Sequence, residues 1–76
     1  MSEFAVFLEC NAEVYKLTQD GSECNTRGEA QEQLKVLKAC GLFDGLLTAL
    51  YDLNYNGASC DFFVEEIGEV GDYKHP

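Results

Sequence analysis

The stretch TRGEAQEQLKVLKACGLFDGLLTALYDL, residues 26–53, decides the fold, because it holds two helical patterns set back to back. Thr26-Arg27-Gly28-Glu29 has the form of a capping box, in which the Thr26 hydroxyl accepts from the Glu29 amide and the Glu29 carboxylate reaches back to the Thr26 amide. Ala30, Leu34 and Leu37 then fall at i, i+4 and i+7, one stripe of a helix. Gln31, Glu32, Lys35 and Lys38 take the wet side, and Lys38 sits in the last turn, where a cation suits the helix dipole. Gly41 supplies the left-handed residue that ends many helices. A second pattern follows at once. Leu42, Phe43, Leu46, Leu47, Leu50 and Leu53 make a broad apolar band, which reads as core. A cofactor pocket needs convergent polar groups, and the band offers none, so no cofactor is expected.

Outward from the helical pair, both flanks read as β-structure. Phe4 to Glu9 is short and rich in β-formers, which predicts a strand. Asn11 offers a turn, and Glu13 to Thr18 alternates as a second strand, with Tyr15 and Leu17 on one face and Val14 and Lys16 on the other. A helix over Asn11 to Thr18 is the competing reading. Asp20-Gly21 is a hairpin signal, so Ser22 to Asn25 is expected as a third, polar edge strand. Beyond the helices, Cys60 to Ile67 reads as a last strand, although its length also permits a helix. There Cys60, Phe62 and Val64 would face the core, while Asp61, Phe63, Glu65, Ile67 and Glu69 would share the other face. The resulting pattern, β-β-(β)-α-α-β, predicts one α+β domain over residues 1–76: a small antiparallel sheet covered by two helices, with a frayed tail from Asp72 to Pro76.

Size and composition narrow the function. A 76-residue chain buries only about 60–65% of its unfolded surface and has little stability to spend on a strained active site. No apolar run reaches the ~18 residues of a membrane span, and Met-Ser-Glu-Phe lacks the basic start of a signal peptide, so a cytoplasmic protein is expected. The four cysteines, Cys10, Cys24, Cys40 and Cys60, form no C-x-x-C pair, which argues against zinc or a thioredoxin-like centre. Without a secretory signal they are expected to be reduced, buried hydrophobes. A thiol nucleophile needs a base, and the one histidine, His75, is next to last. The chain therefore reads as a non-enzyme.

Charge is the outlying quantity. Fourteen acids against five bases give a net charge of −9, and the stretch from Ala39 to Tyr73 has seven acids and no base. Such an excess repels phosphates, which disfavours direct nucleic-acid binding, and also favours a monomer or weak dimer. Asp61, Glu65 and Glu69 recur every four residues with Phe63 and Ile67 between them, and Glu66, Asp72, Asp44 and Asp52 extend the field. Acids interleaved with apolar residues suit a contact face, with charge setting the encounter and Phe63 and Ile67 giving burial. The plainer alternative is a solvated surface.

Asp52, Asn54, Asn56 and Gly57 occupy positions 1, 3, 5 and 6 of a D-x-[DN]-x-[DN]-G loop after a helix, and this six-residue stretch resembles an EF-hand. Position 12, the bidentate Glu of that family, is Phe63 here, and position 8 is Ser59, so the resemblance implies weak metal binding or none. The competing reading is a helix end and turn.

In size, α+β pattern and acidity, the whole chain resembles the small phage-encoded inhibitors of bacterial defence, anti-CRISPR proteins in particular. That is a likeness of profile, with no shared residue motif and hence no functional residue to carry over. It implies an inhibitor acting as a DNA mimic in the host bacterial cytoplasm, with a basic, nucleic-acid-binding host complex as partner. The rival expectation is a small subunit or adaptor docking through Phe63 and Ile67 or through an open sheet edge.

Overall fold

A computed structural model describes residues 3–18, 21, 23–40, 43–52 and 60–75. The elements run β1 (Phe4–Cys10), β2 (Glu13–Lys16), α1 (Arg27–Cys40), α2 (Phe43–Tyr51), β3 (Cys60–Glu66) and a short 3-10 turn (Ile67–Glu69). The sheet order is β2-β1-β3, and both pairings are antiparallel. The fold is α+β, a small antiparallel sheet with its helices.

β1 is the central strand, and its sequence shows why. Ala5, Val6, Phe7 and Leu8 are all fully buried, so both faces of the strand are covered. On one face Val6, Leu8 and Cys10 join Tyr15, Leu17 and Leu47, with Leu34, Leu37, Tyr51, Phe62 and Val64 packed around them. Both helices therefore lie on this face. Leu47 is the buried anchor from the leucine band, whereas Leu42 and Leu53 lie outside the described residues. On the other face Phe7 is closed over by Phe63, stacked at 5.4 Å, and by the edge of Tyr73 at 5.4 Å.

The β1–β2 connection is a two-residue turn. Asn11 and Ala12 both have positive φ, 54° and 68°, the backbone of a type I′ hairpin. Asn suits that conformation; Ala does not. β2 ends at Lys16, shorter than the expected Glu13–Thr18, although the Leu17 amide still donates to the Val6 carbonyl at 2.8 Å.

Several expectations are corrected. Of the expected strand from Ser22 to Asn25, Ser22 lies outside the described residues and residues 23–25 form no strand. Their contribution is one antiparallel bridge between Cys24 and Phe4, with both backbone hydrogen bonds at 2.8 Å. The capping box at α1 is half as expected. The Glu29 amide donates to the Thr26 hydroxyl at 3.2 Å, but the Glu29 carboxylate accepts from the Asn25 amide instead of that of Thr26. Of the expected frayed tail, Tyr73 and Lys74 are held in place, and Pro76 lies outside the described residues. The Lys74 amide donates to the Val14 carbonyl at 2.8 Å and its carbonyl accepts from the Lys16 amide at 3.0 Å, so the tail lies parallel on the outer edge of β2. Tyr51 reinforces that junction, because its hydroxyl lies against the carbonyls of both Lys16 and Lys74.

The cysteines also differ from expectation. Cys10 and Cys60 face each other in the β1–β3 register with Cα atoms 4.3 Å apart, and they are joined by a disulfide. The ladder brings together two residues fifty positions apart, a proximity that spacing along the chain does not reveal. Cys24 is a buried free thiol whose pKa is pushed up, first by burial and then by the nearby Glu29 carboxylate. No described helix is long and apolar enough to cross a membrane.

Candidate partner-binding face

The β1–β3 ladder determines which groups β3 presents. A Cα separation of 4.3 Å at Cys10–Cys60 marks a non-hydrogen-bonded pair, and the pairs alternate from there. The hydrogen-bonded pairs are then Glu9–Asp61, Phe7–Phe63 and Ala5–Glu65. The Ile67 amide donating to the Glu3 carbonyl at 2.9 Å continues the same phase. By the same alternation, the backbone groups of Val64 and Glu66 point away from β1, to the outer edge of the sheet. Asp61, Phe63 and Glu65 project from the face opposite the helices, as the strand period required, whereas Glu66 projects from the helix side.

Glu65 belongs to a local structural network. Its Oε1 lies 3.0 Å from Arg27 Nη2 and accepts from the Glu66 amide at 2.9 Å. Arg27 Nη1 donates to the Val64 carbonyl at 3.1 Å, and its guanidinium lies 5.2 Å from the Phe4 ring centroid. Together these contacts occupy outward-pointing backbone groups on the open edge of β3, the kind of row that otherwise invites strand pairing. The Glu66 amide, and then Arg27, hold the Glu65 carboxyl below its ordinary pKa. Glu65 thus closes a sheet edge, a role that the fourfold spacing of acids did not suggest.

Phe63 and Ile67 also depart from expectation. Phe63 is half-buried and stacked on Phe7, so most of its apolar surface serves a small second cluster with Tyr73 and His75. β3 ends at Glu66, and Ile67–Glu69 turns as a 3-10 segment, so Ile67 and Glu69 do not extend the strand face. The exposed Glu69 and Asp72 lie instead in the segment that leads across this side of the sheet to Tyr73. The acids are therefore divided. Asp61 and Glu65 project on the side away from the helices, Glu69 and Asp72 are exposed in the segment that joins β3 to Tyr73, and Asp44 lies in α2 with the exposed Asp52 directly after it.

Among the described residues, three of the five bases are engaged by acids. Lys16, only 2% exposed, holds Glu23 at 2.8 Å; Arg27 holds Glu65; Lys74 holds Glu13 at 3.0 Å. The Tyr15 hydroxyl also donates to Glu13 at 2.8 Å. Lys74 and then Tyr15 lower the Glu13 pKa, and Lys16 lowers that of Glu23. Among the described residues no ion pair involves Glu9, Asp61, Glu69 or Asp72. Glu9 was not singled out from the sequence. The register adds it, directly opposite Asp61 and likewise exposed.

Of the calcium-loop residues, Asn54 and Asn56 lie outside the described residues. Asp52 takes φ 53°, and its amide donates to the Thr48 carbonyl at 3.0 Å, a left-handed stop to α2. The next described element is strand β3, where an EF-hand would have its second helix, and Phe63 at position 12 is packed on Phe7. Compared with known proteins, the chain matches no family model, no curated protein and no solved structure.

Proposed function

We propose that the protein is a non-enzymatic acidic inhibitor that binds the basic, nucleic-acid-binding surface of a partner and stands in for the polynucleotide. The observation that carries this reading is the cross-strand pair Glu9–Asp61. Like charges directly opposite in an antiparallel ladder are destabilising, by about 0.2–1 kcal/mol, and no described base lies in an ion pair with either. A small domain gains nothing for its own fold from that arrangement. A cationic partner gains two carboxylates fixed on a rigid sheet.

Support also comes from the distribution of bases. Arg27 neutralises Glu65, whereas Lys16 and Lys74 are taken up by acids of the first half of the chain, Glu23 and Glu13. Among the described residues Asp61, Glu69 and Asp72 are consequently exposed acids without an ion-pair partner. The proposed contact face is narrower than the sequence alone suggested: Glu9, Asp61, Glu69 and Asp72, with Glu65 in a supporting role and Asp44, Asp52 and Glu66 outside it. Charge sets encounter and exclusion here, since Phe63 is already half-buried.

The test is capture of partners from a bacterial lysate with and without excess duplex DNA. A nucleic-acid-binding protein retained in its absence and released in its presence supports the reading. Capture that DNA does not affect opposes it.

A further inference from the structure

A second surface, independent of the acidic sheet face, lies along α1. A groove of about 430 Å³ is lined on its apolar side by Leu17, Val36 and Leu37 and on its polar side by Glu29, Glu32 and Gln33. Val36 is 57% exposed, the one large hydrophobic among the described residues that stands out in water. It lies one turn beyond Glu32 and Gln33, so one side of α1 offers a carboxylate and then an aliphatic surface. Lys35 and Lys38 do not line the groove. The Glu29 carboxylate is engaged with the Asn25 amide, while Glu32 is exposed and makes no ion pair among the described residues.

We infer that this groove docks a basic amphipathic helix of a partner protein, whose aliphatic side chains cover Val36 and Leu37 while its lysines or arginines meet Glu32 and Glu29. Charge complementarity selects the occupant: acids flank an apolar channel on a chain of net charge −9. An acidic or neutral apolar segment finds no matching charge there, and a purely basic one leaves Val36 uncovered. The volume lies within the ~300–1,000 Å³ of sites that hold a small group of side chains or a ligand, and helix-in-groove docking uses anchors spaced one turn apart.

The inference does not rest on the polynucleotide-mimic reading, and its test uses no nucleic-acid-binding protein. A fluorescein-labelled peptide of leucine and lysine in helical periodicity is titrated with the full chain, followed by anisotropy, beside a scrambled peptide of the same composition. The expected result is that the amphipathic peptide binds at least about tenfold more tightly than the scrambled one. Val36→Glu should weaken it by a further ~10-fold or more, and Glu32→Lys should also weaken it, because each removes one half of the recognition. Val36 is exposed, so Val36→Glu leaves the core intact, and far-UV circular dichroism checks this. Equal binding of the two peptides, or binding indifferent to Val36→Glu, means that bulk charge alone attracts them and overturns the inference. Absence of binding overturns it too. The Glu9→Lys, Asp61→Lys variant should bind the amphipathic peptide much as the parent does, which separates failure here from failure of the acidic-face proposal.

Discussion

Glu9 and Asp61 stand directly opposite each other in the β1–β3 ladder, both exposed and both on the side of the sheet that the helices leave uncovered. Replacing Asp61 by Lys converts this repulsion into a cross-strand ion pair. Asp61→Lys is therefore expected to raise thermal stability by about 0.2–1 kcal/mol and to weaken binding to a basic partner. Thermal melts and a binding isotherm on the same sample check the two signs. Residues held only for the fold do not give a variant that is more stable and less active; a loss of stability in Asp61→Lys would count against the assignment.

Arg27 and Glu65 close the outer edge of β3. Arg27→Gln keeps a polar side chain but frees the Val64 carbonyl and the Glu65 carboxylate together. The expected outcome is concentration-dependent self-association through the unguarded edge, read by light scattering or size exclusion. Loss of the exposed ion pair itself contributes little to stability. A variant that stays monomeric at every concentration would assign the pair no guarding role.

The Cys10–Cys60 bond closes a loop with a sequence separation of 50 residues. The chain-entropy relation puts its contribution near 4 kcal/mol, comparable to the whole stability expected of a domain this small. Cys10→Ala with Cys60→Ala, or reduction of the parent, should lower the unfolding midpoint sharply or abolish cooperative unfolding. Identical melts with and without reductant would show that the bond does not support the fold.

The Glu13–Lys74 pair, with Tyr15 donating to the same carboxylate, ties the C-terminal segment to β2. The folded-state pKa of Glu13 is depressed below 4.5. Its stabilising contribution is therefore present above that value and lost as the pH falls through the folded pKa. The Lys74 ammonium is shifted in the complementary direction, upward from 10.5, so its share is fully present below that value and lost as the pH rises through the folded pKa. Glu13→Gln should flatten the acid limb of the stability-versus-pH curve and release Tyr73 and Lys74 to faster amide exchange. An unchanged acid limb would exclude the pair as a contributor.

How much of this was legible in the sequence depends on the range of the interaction concerned. The helix at Arg27–Cys40, the strand at Phe4–Cys10 and the face assignment of Cys60, Phe62 and Val64 follow from local period and capping, which neighbouring residues determine. Pairing register is not local. Nothing near Cys10 announces Cys60, nothing near Glu9 announces Asp61, and the half-buried state of Phe63 depends on Phe7 and Tyr73 from opposite ends of the chain. Glu65 illustrates the same limit: by spacing it belongs with Asp61 and Glu69, while Arg27, thirty-eight residues away, takes it out of that set. Lys16 was placed with Val14 on the face opposite Tyr15 and Leu17, and local alternation did not show that, paired with Glu23, it is one of the most buried side chains among the described residues.

The double variant Glu9→Lys, Asp61→Lys bears most directly on whether these carboxylates stand in for a polynucleotide. It keeps two like charges facing each other, so the fold carries the same repulsion as the parent while the sign presented to a partner is reversed. Partner capture from a bacterial lysate is compared for parent and variant at about 50 mM and about 200 mM salt, a span over which phosphate-type contacts weaken steeply. The expected outcome is an unchanged melting curve, a DNA-displaceable basic partner retained by the parent at low salt and weakened at the higher salt, and no retention by the variant. Retention of the same partner by the double-lysine variant would contradict it.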